Sequence, residues 1–336
     1  MDTSSAIAII AVELASTAGC DPKVDTSSAF YFFMDTLSRL LALHPLQTAL
    51  DVRCHFGAPW LLDKPDAPPG CAPYHLLVSG EAWLELPDGT RAALHAGDAV
   101  LFPQGGAHRI RAGDGAPAPI HKSAGPHLVI ETNGGTGPTS DVLCGEFHFG
   151  PEAAPLLRTL PAALVVRTAD APALATLRGV IGLLQAEAES VRPGAAAILA
   201  QLSSALFALL LRGWLEQSPQ VPGLLAVLAQ QRLQPALHAM LAQPERAWTL
   251  DDLAALCHMA RATFARLFRA AAGTPPAQVL TQLRMTQAAR LLAQGRLGAA
   301  QIGEQVGYQS EAAFNRVFKR HHGVGPGEYR RNARSG

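Results

Sequence analysis

In the C-terminal third of the chain, apolar and polar positions alternate with helical spacing, and they do so twice. Phe264, Leu267 and Phe268 stand at i, i+3 and i+4, and so do Phe314, Val317 and Phe318. Each segment therefore predicts a helix with one apolar stripe. Laying Phe264 over Phe314 brings Arg266 onto Arg316, Phe268 onto Phe318, Arg269 onto Lys319, Gly273 onto Gly323 and Pro276 onto Pro326. A repeat at fixed offset indicates one supersecondary unit used twice. Ahead of each copy lies a shorter apolar run, with Leu250, Leu253, Leu256 and Cys257 in the first and Ile302 and Val306 in the second. Only "HMA" or "GYQS" separates the runs, so each unit predicts a helix, a sharp turn and a second helix. Gly307 suits a left-handed turn residue and Ser310 an N-cap. Gly273 and Gly323, each followed by proline, stop the second helices.

From Thr48 to Gly150 the period shortens. "YHLLVSGEAWLELPDGTRAALHAGDAVLFPQGGAHRIRAG" predicts five strands parted by Gly and Pro turns, the pattern of a sandwich or barrel. Residues 151–215 return to helical spacing. There "PGAAAILAQLSSALFALLLRGWLEQ" is apolar almost all round, which demands burial within the domain or against a second subunit. The fold class expected is α+β in two domains: an N-terminal β-barrel with a helical segment, then an all-α double helix-turn-helix. The boundaries read as an extension at 1–33, a barrel domain at 34–215, a linker region at 216–232 and a helical domain at 233–331. Residues 1–33 fit poorly with the rest of the chain, and Met34 reads as the natural start. The apolar run Ala6 to Ala15 is too short to span a membrane and lacks a signal peptide's basic flank, which points to a cytoplasmic chain.

Charge changes the picture. Net charge is zero, but from Pro244 onward there are 13 Lys plus Arg against 6 Asp plus Glu, leaving 14 against 21 in the remainder. A basic helical domain behind an acidic one fits nucleic-acid binding by the helical domain alone. The cysteines, Cys20, Cys54, Cys71, Cys144 and Cys257, are odd in number and show no CxxC spacing. A disulfide framework is therefore not expected. Cys54 has Arg53 and His55 beside it and Cys144 has His148 nearby. Basic neighbours activate thiols, although adjacent strand residues face opposite ways.

The segments "LAALCHMARATFARLFRAAAGTPP", "VLTQLRMTQAARLLAQ" and "IGEQVGYQSEAAFNRVFKRHHGVGPGEYRR" resemble the AraC/XylS-type bacterial transcription regulators over the last hundred residues. Ala260 departs from the serine cap usual there. The resemblance implies a DNA-binding regulator with promoter DNA and RNA polymerase as partners, no membrane, and a homodimer through the apolar helix. An ordinary domain-closing helix is the alternative for that last feature. With the stripes inward, the outward residues expected at base edges are Arg261, Ala262, Ala265, Arg266, Glu311, Ala312, Asn315 and Arg316. Arg269, Lys319 and Arg320, farther along, are expected at phosphates.

The order of turns, with Gly97, Asp98, Pro103 and His108, resembles a cupin. From "MDTLSRLLAL" onward the chain is similar to a cupin-bearing subgroup of these regulators that responds to reactive chlorine. That similarity implies a sensor role for Cys54, Cys144, His75 and His108. No cofactor is implied by the sequence apart from a metal ion in the cupin-like domain, with His75 and His108 as candidate ligands and Cys54, Cys71, Cys144 or His148 as further donors. Histidines serving the core without metal are the other reading. Metal-binding cupins usually offer more histidines and a carboxylate, and Pro73 stands where that carboxylate is expected. The signal is read as an oxidant, a small molecule or a metal. A cupin-type metal-dependent enzyme with a helical appendage is the alternative function.

Overall fold

The structure, a computed structural model, describes residues 34–168, 171–218, 221 and 223–335. The reading of residues 1–33 as an extension, and Cys20 with it, falls outside these. The chain forms two compact units, His44–Pro222 and a second made of Gly223–Gly336 with the segment ending at Leu43.

Among the described residues the first unit holds eleven strands: β1 (Leu46–Gly57), β2 (Trp60–Lys64), β3 (Cys71–Ser79), β4 (Glu81–Glu85), β5 (Arg91–His95), β6 (Ala99–Leu101), β7 (His108–Ala112), β8 (Ile120–Ala124), β9 (Val129–Asn133), β10 (Thr139–Phe149) and β11 (Leu164–Val166). They build a seven-stranded sheet in the order β11-β6-β3-β10-β1-β9-β8 and a four-stranded sheet in the order β2-β7-β4-β5. The expected barrel is thus two separate sheets and not a closed ring. The chain changes sheet at corners that interrupt the ladder. After β1 comes Pro59, which has no N–H to donate. After β3 comes Gly80 at φ 87°, where a Cβ would lie 2.5 Å from the Thr139 carbonyl oxygen.

Cys54, Phe56, Trp60, Leu62, Leu77, Leu84, Leu94, Val100, Phe102, Ile110, Val142 and Cys144 form one core cluster drawn from both sheets. The opposite face of the larger sheet is apolar too, because α3 (Ala175–Glu189) and α4 (Ala195–Gln217) cover it after the short helix α2 (Ala154–Leu157). Tyr74 stacks on Phe147 at 4.5 Å, and Phe207 of α4 meets Phe147 edge-on at 5.2 Å. Helix α4 is long and apolar enough to cross a membrane by length and composition. Its Leu199, Leu206, Phe207, Leu210 and Leu211 are buried within the unit, while Ile198 is exposed.

The second unit contains α1 (Thr36–Ala42), α5 (Gly223–Ala229), α6 (Gln234–Ala242), α7 (Leu250–Leu256), α8 (Arg261–Ala272), α9 (Pro276–Gln294), α10 (Ala299–Gln305), α11 (Glu311–His322) and α12 (Pro326–Ser335). Two boundaries differ from the sequence reading. Helix α1 groups with this unit and not with the strands that come after it; it packs on α6, with Thr36 Oγ1 and His238 Nδ1 3.4 Å apart. Part of the expected linker is α5, whose Leu225, Val227 and Leu228 are buried and which packs on α8. Its seven residues, "GLLAVLA", are too few to show a helical period from sequence.

Candidate functional site

In the helical unit, α7 and α8 make the first helix-turn-helix and α10 and α11 the second. The two recognition helices, α8 and α11, have the same burial at each of their first ten positions. Phe264 and Phe268 are buried in one, and Phe314 and Phe318 in the other. The offset of 50 holds from the N-caps Ala260 and Ser310 onward. The leading helices differ from it by one residue, because the second turn is one residue longer. The first turn puts His258 at φ 50°, the second Gly307 at φ 85°. Gly307 has no room for a side chain, since a Cβ would lie 2.5 Å from the Glu245 carbonyl oxygen.

Capping separates the copies further. Ser310 Oγ accepts the Ala313 N–H at 3.3 Å, whereas Ala260 gives α8 no side-chain cap. The first copy is secured instead at the start of α7, where Thr249 and Asp252 form a reciprocal capping box. On the outward face, Ala262, Arg266, Arg269, Glu311, Ala312, Arg316, Lys319 and Arg320 are exposed. Arg261 pairs with Asp251 at 3.0 Å. Ala265 and Asn315 are half-buried, and the Asn315 amide oxygen has no partner.

In the strand unit, the sheet register brings the expected sensor residues together. Cys144 on β10 lies opposite His75 on β3 and opposite Val52 on β1, while Cys54 pairs with Val142. Cys54 and Cys144 are therefore diagonal neighbours on the inner face. Cys144 Sγ lies 3.0 Å from His75 Nδ1, and His75 Nε2 lies 2.8 Å from His108 Nε2. His108 Nδ1 lies 2.8 Å from the Gly106 oxygen, and its ring stacks on Phe102 at 3.5 Å. All four side chains are buried.

This network fixes the protons. Burial first, and the neighbouring His75 second, push His108 down to about 3, so it is neutral. A carbonyl only accepts, so the His108 proton sits on Nδ1 and its Nε2 is an acceptor. His75 then donates from Nε2, and its Nδ1 lone pair accepts the Cys144 S–H. The Cys54 thiol bonds to the Cys144 sulfur. With His75 adding to that bond, Cys144 is held well below the ordinary thiol range, against the opposing pull of burial. Cys54 moves the other way, raised by the Cys144 bond and then by burial. Its Sγ also lies 3.7 Å from Glu131 Oε2, and Lys122 pairs with the other Glu131 oxygen at 2.8 Å. Of the two sulfurs, Cys144 is thus the one that gives up its proton more readily, and Cys54 the one that keeps it.

Two sequence readings are corrected. Arg53 and His55 do not activate Cys54, because they face the other side of the sheet. There Arg53 makes ion pairs with Asp141, at 2.7 Å, and with Glu189. Nor does His148 serve Cys144; its Nε2 lies 3.4 Å from Glu146 Oε2, next to Cys71. The donors proposed for one mixed metal site thus fall into two clusters. Moreover, both nitrogens of His75 and of His108 are engaged, and among the described residues no carboxylate joins them. The residues present do not fit the usual cupin metal set.

A family model described as "Cupin" matches residues 35–216, and one described as "Helix-turn-helix domain" matches residues 253–332. The chain is 35% identical over 302 residues to the RCS-specific HTH-type transcriptional activator RclR of Escherichia coli K12, covering 90% of this chain and 99% of that protein. It is 32% identical over 307 residues to a putative AraC-like transcription regulator of Streptomyces lividans, covering 89% and 99%. The chain belongs to the AraC family of transcription regulators. Among solved structures, the DNA-binding domain of AdpA in complex with a target DNA is 31% identical, covering 32% of this chain and 96% of that one, with a TM-score of 0.30.

As an AraC-family member with a cupin domain, the chain is a DNA-binding transcription regulator of the RclR-like subgroup. Sequence reasoning missed several residues that hold its parts in place. Arg284 of α9 donates to the backbone oxygens of Pro244, at 2.6 Å, and Arg246, at 3.0 Å, anchoring the entry to the first helix-turn-helix. Glu131 was legible only as a charge within the apolar alternation of "LVIETN".

Proposed function

We propose that this regulator is switched by oxidation of the Cys54–Cys144 pair. The observation that carries the reading is the buried Cys144 sulfur, held between the Cys54 thiol on one side and the His75 imidazole Nδ1, 3.0 Å away, on the other. A hypochlorite-class oxidant supplies the electrophile. The thiolate attacks the chlorine of hypochlorous acid and releases hydroxide, giving a sulfenyl chloride. Cys54 sulfur then displaces chloride, the disulfide closes, and the Cys54 proton combines with the hydroxide to form water. Two thiols are oxidised and one hypochlorous acid is reduced, and the Cys144 proton, passed to His75, leaves to solvent with the chloride. A cavity of about 280 Å³ lined by Asp63, Glu85, Pro87 and His108 offers the oxidant a way towards the relay.

Diagonal partners across an antiparallel pair stand roughly 7–8 Å apart, beyond the reach of an unstrained disulfide. Closing the bond therefore shifts β10 against β1. Phe147 of β10 carries that shift to Phe207 of α4, the helix we assign to a homodimer contact. Arg266 and Arg316 are the proposed base-edge readers, with Arg261, Ala262, Ala265, Glu311, Ala312 and Asn315 around them. Arg269, Lys319 and Arg320 are proposed at phosphates. RNA polymerase is the proposed protein partner, in the cytoplasm. The cupin fold serves here as a sensor and not as an enzyme, a reading supported by the metal set that its histidines fail to complete.

The test is a gel-shift on the chain's own upstream region, with and without one equivalent of hypochlorite, for wild type and Cys144→Ser. The expected result is a changed shift for wild type that reverts with thiol reductant, and no change for the variant. An equal response in both proteins contradicts the proposal.

A further inference from the structure

On the larger sheet of the strand unit lies a second cluster, which the oxidation switch does not use. Cys71 opens β3 and is paired in register with His148 of β10, and Glu146 lies two residues before His148 on the same face. Cys71 Sγ is 3.2 Å from Glu146 Oε2, and His148 Nε2 is 3.4 Å from the same oxygen. One donor atom from each of the three lies within 4.8 Å of the others. We propose that Cys71, Glu146 and His148 form a binding site for a borderline-soft divalent cation of the zinc class.

The spacing fits that ion. With zinc bonds of about 2.3 Å to sulfur and about 2.0–2.2 Å to nitrogen and oxygen, tetrahedral edges come to about 3.6 Å for S···O and about 3.4 Å for N···O. The observed 3.2 and 3.4 Å need only small movements to admit the ion at the centre. The mixture of thiolate, imidazole and carboxylate suits zinc or cobalt better than magnesium or calcium, which take oxygen ligands.

The fold supplies reasons for the cluster to stay assembled. Directly opposed residues on neighbouring antiparallel strands hold their Cβ atoms about 4.5–5.5 Å apart. Cys71 is buried while the His148 ring is half-exposed, so the site is anchored on one side and open to solvent on the other. Asp51, at the bulge that interrupts the β1–β10 register between Leu50 and Val52, interacts electrostatically with Glu146, His148 and Cys71. A bulge re-aims the side chain of the extra residue, and Asp51 adds a negative charge beside the three donors. Cation binding expels the Cys71 proton to solvent and leaves the thiolate on the metal. The site stands independently of the oxidation switch, because Cys54, Cys144, His75 and His108 take no part in it.

The test is titration of the reduced full-length chain with cobalt(II), followed by its thiolate-to-cobalt charge-transfer band, and with zinc(II) by calorimetry. Wild type and Cys144→Ser are expected to bind one equivalent alike. Cys71→Ser should lose the charge-transfer band, and His148→Ala should lose at least about 100-fold in affinity, since even residues behind a ligand cost about 10–100-fold. His148 is half-exposed, so its variant keeps the fold, and a circular dichroism spectrum checks this. Absence of stoichiometric binding, or binding lost in Cys144→Ser and retained in Cys71→Ser and His148→Ala, overturns the proposal.

Discussion

The side chains proposed to do the work of this regulator are exposed in one unit and buried in the other. In the helical unit the residues proposed to touch DNA are exposed: Arg266, Arg269, Arg316, Lys319 and Arg320 extend from helices whose phenylalanines are buried. In the strand unit they are hidden: Cys54 is 0% exposed, His75 and His108 are 3% and Cys144 is 5%. Exposed cations act through long-range attraction to phosphate and are tuned by salt. Buried thiols and imidazoles act through one another, because low dielectric strengthens each contact and fixes each proton. On the proposed reading, one unit is therefore built for recognition and the other for reactivity.

The largest effect that sharpens this contrast lies at the relay. His75→Gln removes the lone pair that receives the Cys144 proton, so oxidation by hypochlorite at neutral pH should slow by at least about tenfold, each lost pKa unit of activation costing a factor of about ten in thiolate. DNA affinity of the reduced protein should stay as it was. Stopped-flow thiol loss and a gel-shift read the two quantities, and an unchanged oxidation rate breaks the assignment of His75 as the base.

Acid probes the buried side of the comparison next. His108 at about 3 and His44 at about 4 are depressed by burial, so the unfolded chain takes up protons near 6.5 that the folded strand unit refuses. Their contribution to stability is complete above about pH 6.5 and is lost as pH falls towards 3–4. Each histidine sets a slope of up to about 1.4 kcal/mol per pH unit in that window. Urea unfolding of His108→Gln should show a flatter acid slope than wild type, and equal slopes would contradict a neutral His108.

On the exposed side, Arg316→Ala should cost about 1–3 kcal/mol on the operator and little on random DNA. Lys319→Ala should weaken both alike and lower the salt slope by about 1. Equal losses on both DNAs for Arg316→Ala would move that residue to the backbone contacts. The smallest effect separates the two helix-turn-helix copies. Ala260→Ser should gain, and Ser310→Ala lose, about 1 kcal/mol of stability. Thermal unfolding reads both, and a neutral Ser310→Ala would show that capping does not distinguish them.

The difference between the units also governs what could be read before the structure. The double helix-turn-helix was legible because its signals are local: Phe264, Leu267 and Phe268 announce a helix within five residues, and Gly273 announces its end. The β3–β7 strand order was legible for the same reason, as Gly80, Gly89 and Gly97 mark its turns. Closure of the sheets was not legible, since nothing near Pro59 says which strand will lie beside β2. The sensor cluster was named residue by residue, but its wiring was not. His75 meets Cys144 across 69 residues of sequence, and only the β3–β10 register decides that His75, and not His148, touches that thiol. The bulge at Asp51 leaves no trace in the alternation, and so the Cys71 cluster could not be told apart from the relay.

The measurement that tests the account most directly is peptide mapping of the full chain after one equivalent of hypochlorite. The account predicts a Cys54–Cys144 bridge, with Cys71 and Cys257 still reduced. Oxidation arriving first at Cys71 or Cys257, with Cys144 untouched, would contradict it.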